Sequence, residues 1–156
     1  IGKIKYLTVN ERLTAAQSVA NAARVSPPND LMMTSDQVKT MRQAGMQIGA
    51  HTISHPILAR LNDEQAKAEI KGGKDFLEQL LGEHVRLFAY PNGKPGEDYT
   101  SASVEVVRSL GFDAAVSTQW GASSLGDDIF QIKRFTPWDR RRLRFGTRLL
   151  SNLYRH

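Results

Sequence analysis

Two histidines four residues apart, in the run His51-Thr52-Ile53-Ser54-His55-Pro56, are the residues best suited to chemistry in this sequence. They follow the short apolar segment Met46-Gln47-Ile48-Gly49-Ala50, which reads as a buried strand ending at a loop. In an open or closed α/β sheet, the loops at that end of the strands carry the site. Two imidazoles placed there can share one divalent cation. Zinc is the default, and nickel, cobalt or iron could occupy a similar donor set. The alternative on spacing alone is a pair of hydrogen-bonded loop histidines. Thr52 and Ser54 tilt the reading toward ligands, because flanking hydroxyls can fix the loop and the ring tautomers.

The elements that must position this pair alternate between helical and extended patterns. Leu7-Thr8-Val9-Asn10-Glu11 opens a helix with a capping-box spacing and continues to about Ala23. Ser26-Pro27-Pro28-Asn29-Asp30 is a loop. Thr34-Ser35-Asp36-Gln37 starts a second helix, which Gly45 ends. Asn62-Asp63-Glu64-Gln65 starts a third that runs to about Leu81 and stops at Gly82. Gly72-Gly73 inside it costs roughly 1 kcal/mol per glycine. A fourth helix covers about Ser101 to Leu110, and a last one begins near Asp139. Between them, Val85 to Tyr90, Phe112 to Ser117 and Phe130 to Phe135 read as strands.

This order is the pattern of parallel βα units, hence an α/β fold. Right-handed crossovers place every strand's C-terminal end on one face. That face should gather His51–His55, Tyr90–Lys94, Ser117–Trp120 and the segment Arg134-Phe135-Thr136-Pro137-Trp138-Asp139. His84 falls at the opposite end of the strands and reads as a surface residue.

The 156 residues suffice for one domain with a real core. No stretch approaches the ~18 apolar residues of a membrane span. Cysteine is absent, which excludes disulfides and thiol catalysis and leaves the compartment open. The net charge of +5 is concentrated in a tail: Lys133, Arg134, Arg140, Arg141, Arg142, Arg144, Arg148 and Arg155 face the single acid Asp139. A basic tail without a helix-turn-helix or RNA-binding signature argues against nucleic acid as the partner. The tail should pack its Leu143, Leu149, Leu150, Leu153 and Tyr154 on the body and leave the arginines in water. Contact with an anionic membrane surface is the lesser reading.

At this point the residues resemble the polysaccharide deacetylase family, which shares the NodB homology domain (carbohydrate esterase family 4). His51-Thr52-Ile53-Ser54-His55-Pro56 looks like that family's H-[ST]-x-x-H metal motif. Phe88-Ala89-Tyr90-Pro91-Asn92-Gly93 is similar to its groove-forming R-x-P-Y-G motif in the variant form F-A-Y-P-x-G. Asp30 to Thr34, Gly45 to Ala50 and Arg134 to Asp139 look like a bacterial branch associated with exopolysaccharide production. The resemblance implies a distorted (β/α) barrel and a divalent metal held by two His and one Asp. It also implies hydrolysis of N-acetyl groups on a sugar polymer containing N-acetylhexosamine. His51 and His55 match the metal ligands, and the Asn92 backbone amide matches the oxyanion donor. Pro91 and Gly93 match the groove lining, the alternative being that they simply shape a turn. Tyr90 could line the groove or belong to the core; Trp138, and less so Trp120, could stack on a sugar ring or pack inside. Asp139 reads more readily as a helix N-cap than as a partner of the site.

The departures are specific. The family's T-F-D-D-G motif, which supplies the catalytic base and the third metal ligand, is not in this sequence. The pair Asp127-Asp128 sits in a Gly/Ser loop instead. Ala89 replaces the groove arginine and Asn92 the tyrosine, so Arg134 becomes the candidate for orienting the base. The later L-x-H motif has no clear match; Leu153-Tyr154-Arg155-His156 sits at the chain end. With Ile1-Gly2-Lys3 at the start, these departures lead us to expect the C-terminal portion of a single catalytic domain, with residues 1–30 a helical lead-in or insertion and 139–156 a C-terminal basic helix. Such a portion should be an incomplete barrel, nearly inactive alone. It should self-associate or remain bound to an upstream piece. The competing reading is a non-catalytic carbohydrate-binding or accessory barrel module.

Overall fold

The computed structural model describes residues 4–135 and 138–153. Thr136, Pro137 and residues 154–156, part of the expected strand-end segment and tail, lie outside them. Among the described residues there are five α-helices: α1 Val9–Ala23, α2 Ser35–Gln43, α3 Asp63–Leu81, α4 Ser101–Ser109 and α5 Arg142–Leu153. The capping chemistry legible in the sequence is formed. Thr8 with Glu11, Thr34 with Gln37 and Asn62 with Gln65 each make a reciprocal capping box, and Thr100 with Ser103 adds another. Gly82 closes α3 in the left-handed conformation at φ 68°, which costs a glycine little.

The sheet is shorter than the sequence pattern suggests. Among the described residues only β1, Leu87–Ala89, and β2, Ala114–Val116, are full strands, paired in parallel with Phe88 opposite Ala115. The expected strand Met46–Ala50 contributes a single parallel bridge, Ala50 to Phe88. The expected strand Phe130–Phe135 is replaced at its start by a 3₁₀ turn over Ile129–Gln131, nucleated by Asp128 accepting from Phe130 N. It returns to the sheet only through the bridge Val116 to Ile132. The order of extended segments is therefore Ala50, β1, β2, Ile132, all parallel and in sequence order. These are consecutive parallel βα units of an incomplete (β/α) barrel.

The core lies between this short wall and the helices. Phe88, Tyr90, Phe112, Tyr99, Ile70, Val107 and Leu58 are buried in it. Tyr90 stacks on Tyr99 with ring centroids 3.8 Å apart and meets Phe88 edge-on at 5.2 Å. α3 packs beside α4 and α2 on the outer side. Lys74, buried on α3, donates to the carbonyls of Leu110 and Gly111 and lies over the Phe112 ring. It thereby closes the C-terminal end of α4.

The tail departs from expectation. α5 begins at Arg142, so Asp139 is not its N-cap; Asp139 pairs with Arg148 at 2.8 Å instead. Leu143, Leu149 and Leu150 of α5 are not packed away: Leu143 is 86% exposed, and Leu149 and Leu150 are exposed as well.

Candidate metal centre and groove

His51 follows directly on the bridge residue Ala50, which places it at the C-terminal edge of the wall. Its Nδ1 lies 2.6 Å from the carbonyl oxygen of Ala89. A carbonyl only accepts, so Nδ1 carries the proton and the lone pair of the neutral ring is on Nε2. The His55 ring stands 4.8 Å away, edge-on at 73°. Partial burial pushes the His51 pKa below the usual imidazole range. The Ala89 carbonyl opposes that shift, while neighbouring His55 and Arg134 reinforce it.

The loop between the two histidines has an unusual support. Among the described residues, no backbone–backbone hydrogen bond involves positions 51–56. Side chains do the holding. Glu69 Oε2 accepts from Ile53 N at 3.0 Å and Ser54 N at 2.9 Å, and Glu69 Oε1 accepts from the Ser54 hydroxyl at 2.7 Å. Thr52 Oγ1 accepts from His55 N at 3.2 Å. On the other side, Arg12 of α1 donates to the carbonyls of Ser54 and His55, both at 3.1 Å. Thr52 and His55 are held at φ 65° and 55°, a region that disfavours β-branched side chains in particular. Neither Glu69 nor Arg12 was singled out by the sequence; both lie far along the chain from the pair they hold. The pair Gly72-Gly73 was the available signal. A Cβ on Gly73 would stand 2.7 Å from Thr52 O, so the helix carries glycine where the loop rests on it.

The second loop lies beside this one. Asn92 and Gly93 adopt left-handed conformations at φ 56° and 77°. Gly93 N donates to Pro91 O at 2.6 Å. Because the intervening peptide is trans, the Asn92 N–H points away from that turn. Thr118, after β2, pins the turn: its hydroxyl donates to Asn92 O at 2.6 Å and its N–H to Gly93 O at 2.8 Å. Arg134 N donates to Gln119 O at 2.9 Å, which brings the last segment to the same edge. The described parts of the four expected loops thus converge. His84, at the opposite edge, is exposed and faces Glu78.

Three expected groove residues do not present surface. Tyr90 is 0% exposed, and its hydroxyl donates to Phe130 O at 3.0 Å. It is a core residue, because Tyr99 and Phe88 enclose its ring. Pro91 and Gly93 are buried too, and act through the shape of the turn rather than by offering a contact face. Trp138 is 81% exposed. Trp120 is partly exposed and meets Phe135 edge-on at 5.0 Å.

Comparison with known proteins gives a consistent picture. A family model described as polysaccharide deacetylase matches residues 11–115. YxkH of Bacillus subtilis (strain 168), described as a polysaccharide deacetylase, is 26% identical over 102 residues, covering 65% of this chain and 35% of that protein. Among solved structures, the deacetylase PplD of Streptococcus pyogenes, in complex with acetate, aligns with a TM-score of 0.64 and 27% identity, covering 69% of this chain and 46% of PplD. IcaB from Ammonifex degensii aligns with a TM-score of 0.59 and 26% identity, covering 68% and 49%. The chain spans about a third to a half of the length of these relatives.

Proposed function

The chain belongs to the polysaccharide deacetylase family, and from that premise we propose that it forms part of a metal-dependent enzyme hydrolysing N-acetyl groups on a bacterial polysaccharide containing N-acetylhexosamine. The observation that carries this reading is the locked His51 tautomer, with His55 beside it, at the edge where the Pro91–Gly93 turn also lies. The donor chemistry fits a divalent cation. His51 offers Nε2 as a neutral ligand, held by a hydrogen bond on Nδ1 of the kind that orients metal-binding imidazoles. Among the described residues, no third His, Asp or Glu completes the set. The carboxylate ligand and base that the family resemblance implies belong to a motif absent from these 156 residues.

His51 and His55 would hold the cation, which when bound polarises an amide carbonyl and lowers the pKa of a water toward 7. The remaining work falls to the protein. The Asn92 N–H, directed away from the Pro91–Gly93 turn, would donate to an oxygen that gains charge as the acetyl carbon becomes tetrahedral. It costs no reorganisation, because Thr118 already fixes the turn. Arg134, close enough to His51 to depress its basicity, is assigned the orienting of a carboxylate base. Trp138 offers an exposed indole for a sugar ring. This chain alone is expected to turn over little, since two imidazoles without a carboxylate leave the cation under-liganded.

The test is acetate release from N-acetylated hexosamine oligosaccharides by the natural gene product carrying this sequence. Chelation should stop it, and zinc should restore it. His51→Ala and His55→Ala should each abolish it; undiminished release in both variants would refute the assignment.

A further inference from the structure

The His51–His55 loop is a stretch of backbone with polar groups and, among the described residues, no backbone partners. The loop is half-buried at Thr52 and Ser54, where peptide groups need such partners, and one carboxylate takes two successive N–H groups, those of Ile53 and Ser54. We infer that Glu69 is a positioning residue for the metal pair: it sets the angle between the His51 and His55 rings by holding the peptide N–H groups between them. The inference rests on the metal-binding reading given above and adds to it a residue outside both motifs.

The geometry is restrictive. Glu69 is half-buried on α3, one turn before Gly73, so its side chain leaves the helix where the loop backbone comes closest. One of its oxygens takes two successive peptide N–H groups, and the other takes the Ser54 hydroxyl. Two N–H groups can converge on one oxygen only if the chain curls around it, and the left-handed Thr52 provides that curl. The next N–H, of His55, turns to Thr52 Oγ1, and His55 itself is left-handed. Release of Glu69 would free the N–H groups of positions 53 and 54 and leave the His55 backbone to Arg12, on the Ser54 and His55 carbonyls, and to Thr52 Oγ1, which together do not fix the angle between the rings. A carboxylate is not required for its charge. A glutamine can accept both peptide N–H groups with its carbonyl oxygen and donate to the Ser54 hydroxyl with its amide. An aspartate keeps the charge but is one methylene too short.

The experiment therefore uses this chain with Glu69→Gln, Glu69→Asp and Glu69→Ala. The readouts are ring-to-ring NMR contacts between His51 and His55 without metal, and zinc affinity by titration. We expect Glu69→Gln to keep the ring contacts and bind zinc within a few-fold of the unsubstituted chain. Glu69→Asp and Glu69→Ala should lose the contacts and about 10- to 100-fold in affinity, the range typical for groups that orient ligands. Aspartate behaving as well as glutamate, with glutamine failing, would show that charge matters rather than geometry and would overturn the inference. Preserved ring contacts in Glu69→Ala would do the same. Failure of the unsubstituted chain to bind zinc would strike the metal reading alone, because the ring contacts still decide whether Glu69 positions the pair. If Glu69→Ala does not fold, Glu69→Gln against Glu69→Asp carries the comparison.

Discussion

Gly73 of α3 lies directly under the backbone of Thr52: a Cβ there would stand 2.7 Å from the Thr52 carbonyl oxygen and 2.9 Å from its carbon. Its neighbour Gly72 would meet only the end of the Ile53 side chain, which is 66% exposed and free to turn away. Helix propensity alone favours alanine at either position by about 1 kcal/mol. We therefore expect opposite outcomes. Gly72→Ala should be neutral or stabilising, whereas Gly73→Ala should destabilise by about 1–3 kcal/mol through forced backbone movement. Denaturant unfolding of both variants measures the difference, and equal stabilisation would contradict the docking of the loop on α3.

The pH dependence of stability follows from His51, whose folded pKa is held low chiefly by partial burial. A base with a depressed folded pKa binds fewer protons when folded. Its contribution is therefore present above the unfolded value of about 6.5 and is lost as the pH falls below it. Stability of the metal-free chain, kept so by chelator, should fall from pH 7 toward pH 5. His51→Gln should flatten that slope. An unchanged slope would place the proton uptake at another group.

Tyr90 provides a way to tell a core residue from a groove residue. Removing a buried hydroxyl strands the Phe130 carbonyl and costs about 1–2 kcal/mol. Tyr90→Phe should lower stability by that amount, measured by chemical denaturation, and leave zinc affinity untouched. A stable variant that binds an oligosaccharide more weakly would return Tyr90 to the groove.

Large apolar side chains remain exposed on both flanks of the structure: Leu13 and Val19 on α1, Leu31 and Met32 after it, and Leu143 and Leu150 on α5. Exposed apolar surface of this kind favours association. The chain is expected to form oligomers. Light scattering that finds a monodisperse monomer, with a single band on a gel, would contradict this expectation.

Much of the helical framework was legible because its signals are local. Thr8 with Glu11, Thr34 with Gln37 and Asn62 with Gln65 mark helix starts within four residues, and Gly82 marks an end. The His pair and the Pro91–Gly93 turn were legible as short motifs, and the parallel βα order placed them on one edge. Strand lengths were not, because a residue such as Met46 becomes strand only if a neighbour pairs with it, and here only Ala50 is paired. The exposure of Tyr90 was equally hidden, since it depends on Tyr99 and the Phe130 carbonyl. Glu69 and Arg12 were missed for the same reason. Their partners are 15 or 16 and 42 or 43 positions away, and neither belongs to a recognisable pattern. The apolar residues of α5 carried an amphipathic signal, but a signal on one helix does not say whether a partner surface is present.

If His51 and His55 jointly hold a divalent cation, His51 ligates through Nε2 while Nδ1–H stays on the Ala89 carbonyl. The most direct measurement is a long-range ¹⁵N–¹H NMR spectrum of the histidine rings during zinc titration. On zinc addition His51 Nε2 should shift, its Nδ1 should remain protonated, and His55 should respond at the same zinc concentration. A His51 ring unchanged by zinc, or one that binds through Nδ1, would contradict it.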